Sequence, residues 1–139
     1  MATFTAGDKF ANCFVCSPTN PRGLHLKITT VDGKAHTEIV PEDYMCGLNG
    51  LMHGGFSLML MDEAVEGYGV DSVTLHSECD FKNPAVIGHK LVAEAWVTKR
   101  EGKKFYTEGV LKDGDTVIVT ATGLYYEMDM SVFLTDDQK

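Results

Sequence analysis

From His89 to Glu127 apolar and polar residues alternate along the chain. HKLVAEAWVTK places Leu91, Ala93, Ala95 and Val97 on one face, while KKFYTEGVLK and TVIVTATGLYYE are rich in aromatic and β-branched residues. Such segments predict half-buried strands. Glu101-Gly102 and Asp113-Gly114 separate them, and Asp32-Gly33 separates GLHLKITTV from KAHTEIV. Glycine accepts the positive φ of a tight turn, so each pair predicts a hairpin. SVTLHSECDFK reads as a further strand, with Val73, Leu75, Cys79 and Phe81 opposite Thr74, His76, Glu78 and Asp80. If the apolar set faces inward, Thr74 points away from the interior unless a bulge or a subunit seam re-aims it.

Between the first hairpin and these strands the period changes. HGGFSLMLMDEAVE is rich in Leu, Met and Ala and is stopped by Gly67 and Gly69, which predicts one helix from His53 to about Glu66. Its apolar residues point in nearly every direction around the axis, so the helix should be enclosed on all sides. Two strands, one helix and four further strands give an α+β arrangement. We expect an antiparallel sheet of about five to six strands wrapped around one central helix, in a single domain over residues 1–139 with its core at about 10–127. The tail, 128–139, has no inferred role.

Composition narrows the function classes. A net charge of −8 over 139 residues argues against a general nucleic-acid binder, which needs a basic surface to neutralise phosphates. The apolar run Leu58–Met61 is far too short to span a bilayer, and MATFTAGDKF lacks the basic and apolar regions of a signal peptide. No membrane association and a cytoplasmic location are therefore expected. Basic residues cluster locally at Lys99, Arg100, Lys103 and Lys104, and Lys82 precedes Asn83-Pro84. These are either solvated turn charges or a seat for an anionic small ligand. Of four cysteines, only Cys13 and Cys16 have metal-like spacing, and no second close pair completes a four-ligand site. The cysteines are expected to pack or to shape turns, with no metal.

Asp62 and Glu63 interrupt the apolar helix. Nine residues separate His53 from Asp62, about 13 Å of rise and roughly half a revolution of offset. The helix start and Asp62 therefore cannot serve one site within a single chain. Two antiparallel copies about a two-fold axis would place the start of one helix at the middle of the other, making two sites at the subunit boundary. The first turn offers unpaired N–H groups and the positive end of the helix dipole, and Gly54 and Gly55 leave them unobstructed. Such donors suit a developing oxyanion, while a carboxylate from the other copy supplies a base or a nucleophile. These parts suit acyl transfer from a thioester. His53 serves either as a structural residue that fixes the loop or as a direct participant. Glu63 points about 100° away from Asp62, and either lies at an exposed edge or belongs to the substrate-binding set. An acyl tunnel at the boundary would be lined by Phe56, Met59, Leu60 and Tyr68.

HGG followed by MDEA, with the acid nine positions after the histidine, resembles the hotdog-fold acyl-CoA thioesterases of the phenylacetate-pathway and thioesterase-superfamily-member types, within the 4-hydroxybenzoyl-CoA thioesterase-like superfamily. CFVCSPTNPRGLHLKI is similar to a Cys-Phe-x-Cys-Gly-x-x-Asn-Pro-x-Gly-Leu segment of some members, and residues 80–126 resemble their closing strands. The resemblance implies a hotdog fold and hydrolysis of acyl-CoA to free acid and coenzyme A. It implies that Asp62 is the catalytic carboxylate, that the Gly54 N–H, with Gly55, binds the thioester oxygen, and that the Thr74 hydroxyl orients water or the acid. Coenzyme A would lie near Lys82, Asn83 and the turn bearing Arg100, Lys103 and Lys104. No cofactor is implied, since coenzyme A belongs to the substrate. The implied assembly is a homodimer or a dimer of dimers.

The chain departs from that pattern in two places. Several members carry an asparagine six residues before the histidine, where this chain has Gly47; Asn49 is displaced by two and is the candidate substitute. Ser17 stands where the N-terminal segment usually has glycine. A non-catalytic acyl-CoA-binding hotdog protein is the alternative from a different class. A hotdog dehydratase or hydratase is a further one, although that chemistry wants a histidine and an acid placed together, and His53 and Asp62 leave the helix on opposite sides.

Overall fold

The structure, a computed structural model, describes residues 12–64 and 71–129. Six antiparallel strands form one sheet, with β1 (Thr29–Val31), β2 (Lys34–Ile39), β3 (Ser72–Phe81), β4 (Leu91–Glu101), β5 (Lys104–Asp113) and β6 (Thr116–Glu127). Their spatial order is β1-β2-β4-β5-β6-β3, so β1 and β3 are the edges. One helix, α1 (Gly54–Glu63), lies against the sheet. This is the expected α+β arrangement. No helix among the described residues is long and apolar enough to cross a membrane.

The three turns form as their glycines require, by two routes. At Asp32-Gly33 both loop residues have positive φ, 51° and 77°, and Val31 pairs with Lys34. That is a two-residue loop whose twist matches the flanking strands. At the other two turns the residue before glycine is still in the strand. Glu101 pairs with Lys104 and Asp113 with Thr116, so Gly102 and Gly114 take the first loop position, at φ 62° and 58°. The first strand is shorter than expected, because residues 24–26 bond elsewhere. Leu24 and Leu26 donate to the Phe14 and Val15 carbonyls, and His25 between them has a left-handed φ of 54°.

The core lies between helix and sheet. Leu60 and Met61 pack with Leu91, Ala93, Leu111, Ile118 and Val119. The helix packs tightly at Gly109, where a β-carbon would stand 3.4 Å from the Met61 sulfur and 3.1 Å from the Glu94 carbonyl. The expected full enclosure of the helix is not met within one chain. Leu58 is 41% exposed and Met59 half-buried, because a single sheet covers only one side of a helix. The predicted helical turn beyond Ala64, and Tyr68 with it, lie outside the described residues.

Candidate active site

The approach to α1 is pinned on both sides. Met52 N–H donates to the Ala85 carbonyl and His53 N–H to the Met45 carbonyl, both at 2.8 Å. His53 keeps a non-helical backbone (φ −57°, ψ 133°) and caps the helix, its Nδ1 accepting the Gly55 N–H at 2.8 Å. This bond gives the His53 imidazole a structural contact. It also occupies the Gly55 N–H, one of the two amides expected to hold an oxyanion. The Gly54 N–H, at the first helical position, has no acceptor within the helix. Gly54 lines a cavity of about 310 Å³ together with Leu51, Met52, His53, Ser57, Phe81, Asn83 and Ile118, among others. The Phe81 ring lies over Gly54, where a β-carbon would approach within 3.2 Å.

Asp62 belongs to the other end of α1, eight residues and about 12 Å of rise from Gly54. Its Oδ1 accepts two hydrogen bonds, from the Thr74 hydroxyl at 2.7 Å and the Tyr125 hydroxyl at 3.2 Å. The simple alternation of β3 would have turned Thr74 outward. The register of β3 against β6 shifts between Thr74 and His76, and this bulge places Thr74 on the helix-facing side with Ser77, Cys79 and Phe81. Thr74 is paired with Tyr125 itself, so one cross-strand pair supplies both hydroxyls. Oδ2 has no partner among the described residues, which leaves one oxygen held and the other open.

Tyr125 was not singled out by the sequence, where it reads as one more aromatic strand residue. Gly123 is the reason it reaches Asp62. A β-carbon on Gly123 would stand 2.6 Å from the Tyr125 ring and 3.0 Å from its hydroxyl, so the ring fills the space that a side chain would need. A glycine two residues before a tyrosine in a strand is the signal that was available. Burial pushes the Tyr125 phenol well above its usual range, and the Asp62 charge and hydrogen bond add to this. A bond from Thr107 acts weakly in the opposite sense. The phenol therefore stays a neutral donor at physiological pH.

The remaining expected residues divide between the two ends. Asn83 lines the cavity at the helix start, and its side-chain amide donates to the Val117 carbonyl at 2.7 Å. The Lys82 N–H bonds to the Ile118 carbonyl beside it. Arg100, Lys103 and Lys104 lie at the β4–β5 turn, alongside the ends of β6 and β3 where Tyr125 and Thr74 sit; Arg100 pairs with Glu127 at 3.1 Å. The two basic groups do not meet in one chain. Phe56 packs against the core and Met59 is half-buried. Asn49 is exposed at the tip of the turn leading to Gly50 (φ 85°), and the structure does not bring it to the cavity that Gly47 lines. Glu63 accepts a bond from the Cys13 thiol at 3.2 Å. A larger hollow of about 480 Å³ lies on the outer face of the sheet between Lys34, Trp96, Glu108 and Lys112. It contains no helix residue and lies apart from both ends of α1.

The thioesterase superfamily model matches residues 49–120, just over half of the chain and the whole stretch from the helix approach to β6. The chain belongs to the thioesterase superfamily. Membership supports acyl-thioester hydrolysis as the general chemistry. An uncharacterised protein of Schizosaccharomyces pombe is 32% identical over 78 residues, covering 51% of this chain and 44% of that protein. The chain thus matches less than half the length of that curated relative. Among the solved structures that share its hotdog fold are the following three. RHA08564, a thioesterase-superfamily protein, has a TM-score of 0.73 at 22% identity, covering 80% of this chain and 61% of its own. Escherichia coli PaaI, from the phenylacetic acid degradation operon, has a TM-score of 0.68 at 20% identity, covering 76% and 81%. A Streptococcus mutans UA159 protein bound to acetyl-CoA has a TM-score of 0.67 at 16% identity, covering 74% and 88%.

Proposed function

We propose that this superfamily member hydrolyses acyl-CoA thioesters in a site shared by two copies of the chain. The observation that carries this reading is the division of labour along α1. The carboxylate held by Thr74 and Tyr125 lies about 12 Å from the amide and cavity at the start of its own helix. A second, antiparallel copy brings each acid to the other's helix start. Its seat is supported by the exposed Leu58, the half-buried Met59 and the edge strand β3 with its exposed Leu75 and Phe81. The same pairing brings the Lys82–Asn83 end of one chain to the Arg100–Lys104 turn of the other, where coenzyme A phosphates would sit.

In that site the thioester carbonyl oxygen accepts the Gly54 N–H, which stabilises the oxyanion as it forms. Asp62 either takes a proton from the attacking water or attacks the carbonyl carbon itself, and its free Oδ2 suits both routes. The C–S bond then breaks, and the leaving thiolate of coenzyme A takes up a proton. In the direct route, water afterwards cleaves the acyl-aspartyl anhydride to regenerate the carboxylate. Chemistry that needs His53 as a proton shuttle fits less well, since its Nδ1 already accepts the Gly55 N–H.

Thiol release from short, aromatic and long acyl-CoAs tests the activity, and complementation tests the shared site. Asp62→Asn and Gly54→Val should each be inactive alone. Mixed and reassembled, they should regain activity, because a mixed dimer contains one site with both lesions and one with neither. No turnover by wild type on any substrate would end the reading. Active single variants would remove the two residues from it, and failure to complement would move the site into one chain.

A further inference from the structure

CFVC lies outside the acyl-transfer site, and the fold gives it a third partner that its spacing does not reveal. Residues 12–26 form a built loop. The fully buried Ser17 accepts the Thr19 and Asn20 N–H groups on its hydroxyl, and the Asn20 side chain donates to the Asn12 carbonyl. Leu24 and Leu26 bond back to Phe14 and Val15, and a β-carbon on Gly23 would stand 2.7 Å from the Phe14 carbonyl. This packing carries Cys13 and Cys16 to the end of α1. There the two sulfurs and a Glu63 carboxylate oxygen all lie within 4.8 Å of one another. Cys13 donates to Glu63 at 3.2 Å, and the Cys16 N–H donates to the Cys13 sulfur at 3.3 Å.

We propose that Cys13, Cys16 and Glu63 form a binding site for a zinc-class divalent cation, with water as the fourth ligand, which fastens the 12–26 loop to the helix that carries Asp62. Around zinc, thiolate and carboxylate ligands at about 2.3 and 2.1 Å place two sulfurs about 3.8 Å apart and a sulfur and an oxygen about 3.6 Å apart. The Cys13 sulfur and the Glu63 oxygen, 3.2 Å apart, already lie near the second spacing, and all three ligand atoms fall within 4.8 Å of one another, so closing on an ion needs only side-chain movements. When a divalent ion binds, two S–H protons leave to solvent, two metal–sulfur bonds form, and three converging anions face one dication. Thiolates select zinc over magnesium or calcium. The second cysteine pair missing from the sequence is thus replaced by one carboxylate, delivered by the fold from 47 residues after Cys16.

The test uses the full, untagged, reduced chain. Zinc titrated against a chromophoric chelator should bind one equivalent per chain and release two protons. Cobalt should give a thiolate-to-metal charge-transfer band in the near ultraviolet that zinc abolishes. Cys46→Ser and Cys79→Ser should keep both signals, Cys13→Ser with Cys16→Ser should lose them, and Glu63→Gln should bind at least about tenfold more weakly. The wild-type cobalt spectrum needs no variant to fold: absence of a thiolate band overturns the proposal. So does binding that survives the double cysteine change, or a Cys13–Cys16 disulfide that persists at a reducing glutathione poise. None of these readouts depends on thioester turnover, so the site and the proposed hydrolysis stand or fall separately.

Discussion

The two ends of α1 are built by different means. At the start, the useful group is the Gly54 backbone N–H, and the turn that presents it is held by a cap in which His53 Nδ1 accepts the neighbouring Gly55 N–H. The cap at that end comes from three consecutive residues, while the Met45 and Ala85 carbonyls pin its approach. At the other end the useful group is the Asp62 side chain, and its oxygen is held by hydroxyls from residues 12 and 63 positions away on two strands. The first end is a property of local sequence, and the second of tertiary packing. Damage to the start should therefore act through helix geometry, whereas damage to the acid end should propagate through β3 and β6.

The largest expected effect separates the acid from everything that holds it. Asp62→Asn keeps the shape and both hydroxyl contacts but removes the base or nucleophile, so turnover should fall by about 10²–10⁴-fold with the melting temperature little changed. Steady-state thiol release with a thermal melt on the same samples checks this. A large loss of stability instead would mean that the carboxylate is there to hold the fold.

Gly123→Ala comes next, and it tests whether the tyrosine is held in place by an absence. The new methyl would overlap the Tyr125 ring, costing about 1–3 kcal/mol of stability as other overpacked cores do, and should also lower turnover by freeing Asp62. In a double-mutant cycle, adding Tyr125→Phe to Gly123→Ala should relieve little of the clash, since the ring remains, but should cause little further loss of turnover. Full additivity of the two activity losses would show that Gly123 does not act through the phenol.

Removing each hydroxyl singly should do less. Hydrogen bonds to charged groups are worth about 1.5–3 kcal/mol, so Thr74→Val and Tyr125→Phe should each reduce kcat about tenfold or more if Asp62 orientation controls the chemical step. The shorter bond predicts the larger effect for Thr74. At the other end of the helix, His53→Ala removes a cap worth about 1 kcal/mol, lowering the melting temperature by a few degrees. Restoration of that stability by His53→Asn, itself a good cap, together with activity, would confirm that the imidazole acts through the helix and not on the substrate.

The smallest effect is one of pH. The Tyr125 phenol ionises in the unfolded chain near pH 10 but is held protonated in the folded one by burial and the neighbouring carboxylate. Above that pH the unfolded state loses protons that the folded state keeps, so stability falls as pH rises toward the folded value, and no contribution changes below it. Urea midpoints measured from pH 9 to 11 should show the fall in wild type and a shallower one in Tyr125→Phe. Equal slopes would place the phenol in contact with water.

The strands and turns were legible because their causes are local. Leu91, Ala93 and Ala95 face inward as their alternation requires, and each glycine turn formed where a positive φ was needed. Asp62 and Gly54 stand out as candidates because a charge in an apolar helix and a bare first turn are visible in one dimension. Thr74 was only half legible. Its position was known, but its direction depended on a bulge, and bulges are decided by how two strands fit. Residues 24–26 were misread as strand because their partner, the Phe14–Val15 segment, is irregular and carries no period of its own.

Sequence alone therefore determined the element types and the turn positions, set by neighbours within a few residues along the chain, and it singled out Asp62 as the candidate acid. Only the tertiary structure decided which hydroxyls reach Asp62, why Gly123 must be bare, and that Glu63 meets the cysteines of the N-terminal loop. Those contacts join positions 12 to 63 apart. Their geometry follows from strand register, side-chain volume and the small space between one helix and one sheet, of which only the Gly123–Tyr125 spacing leaves a local trace.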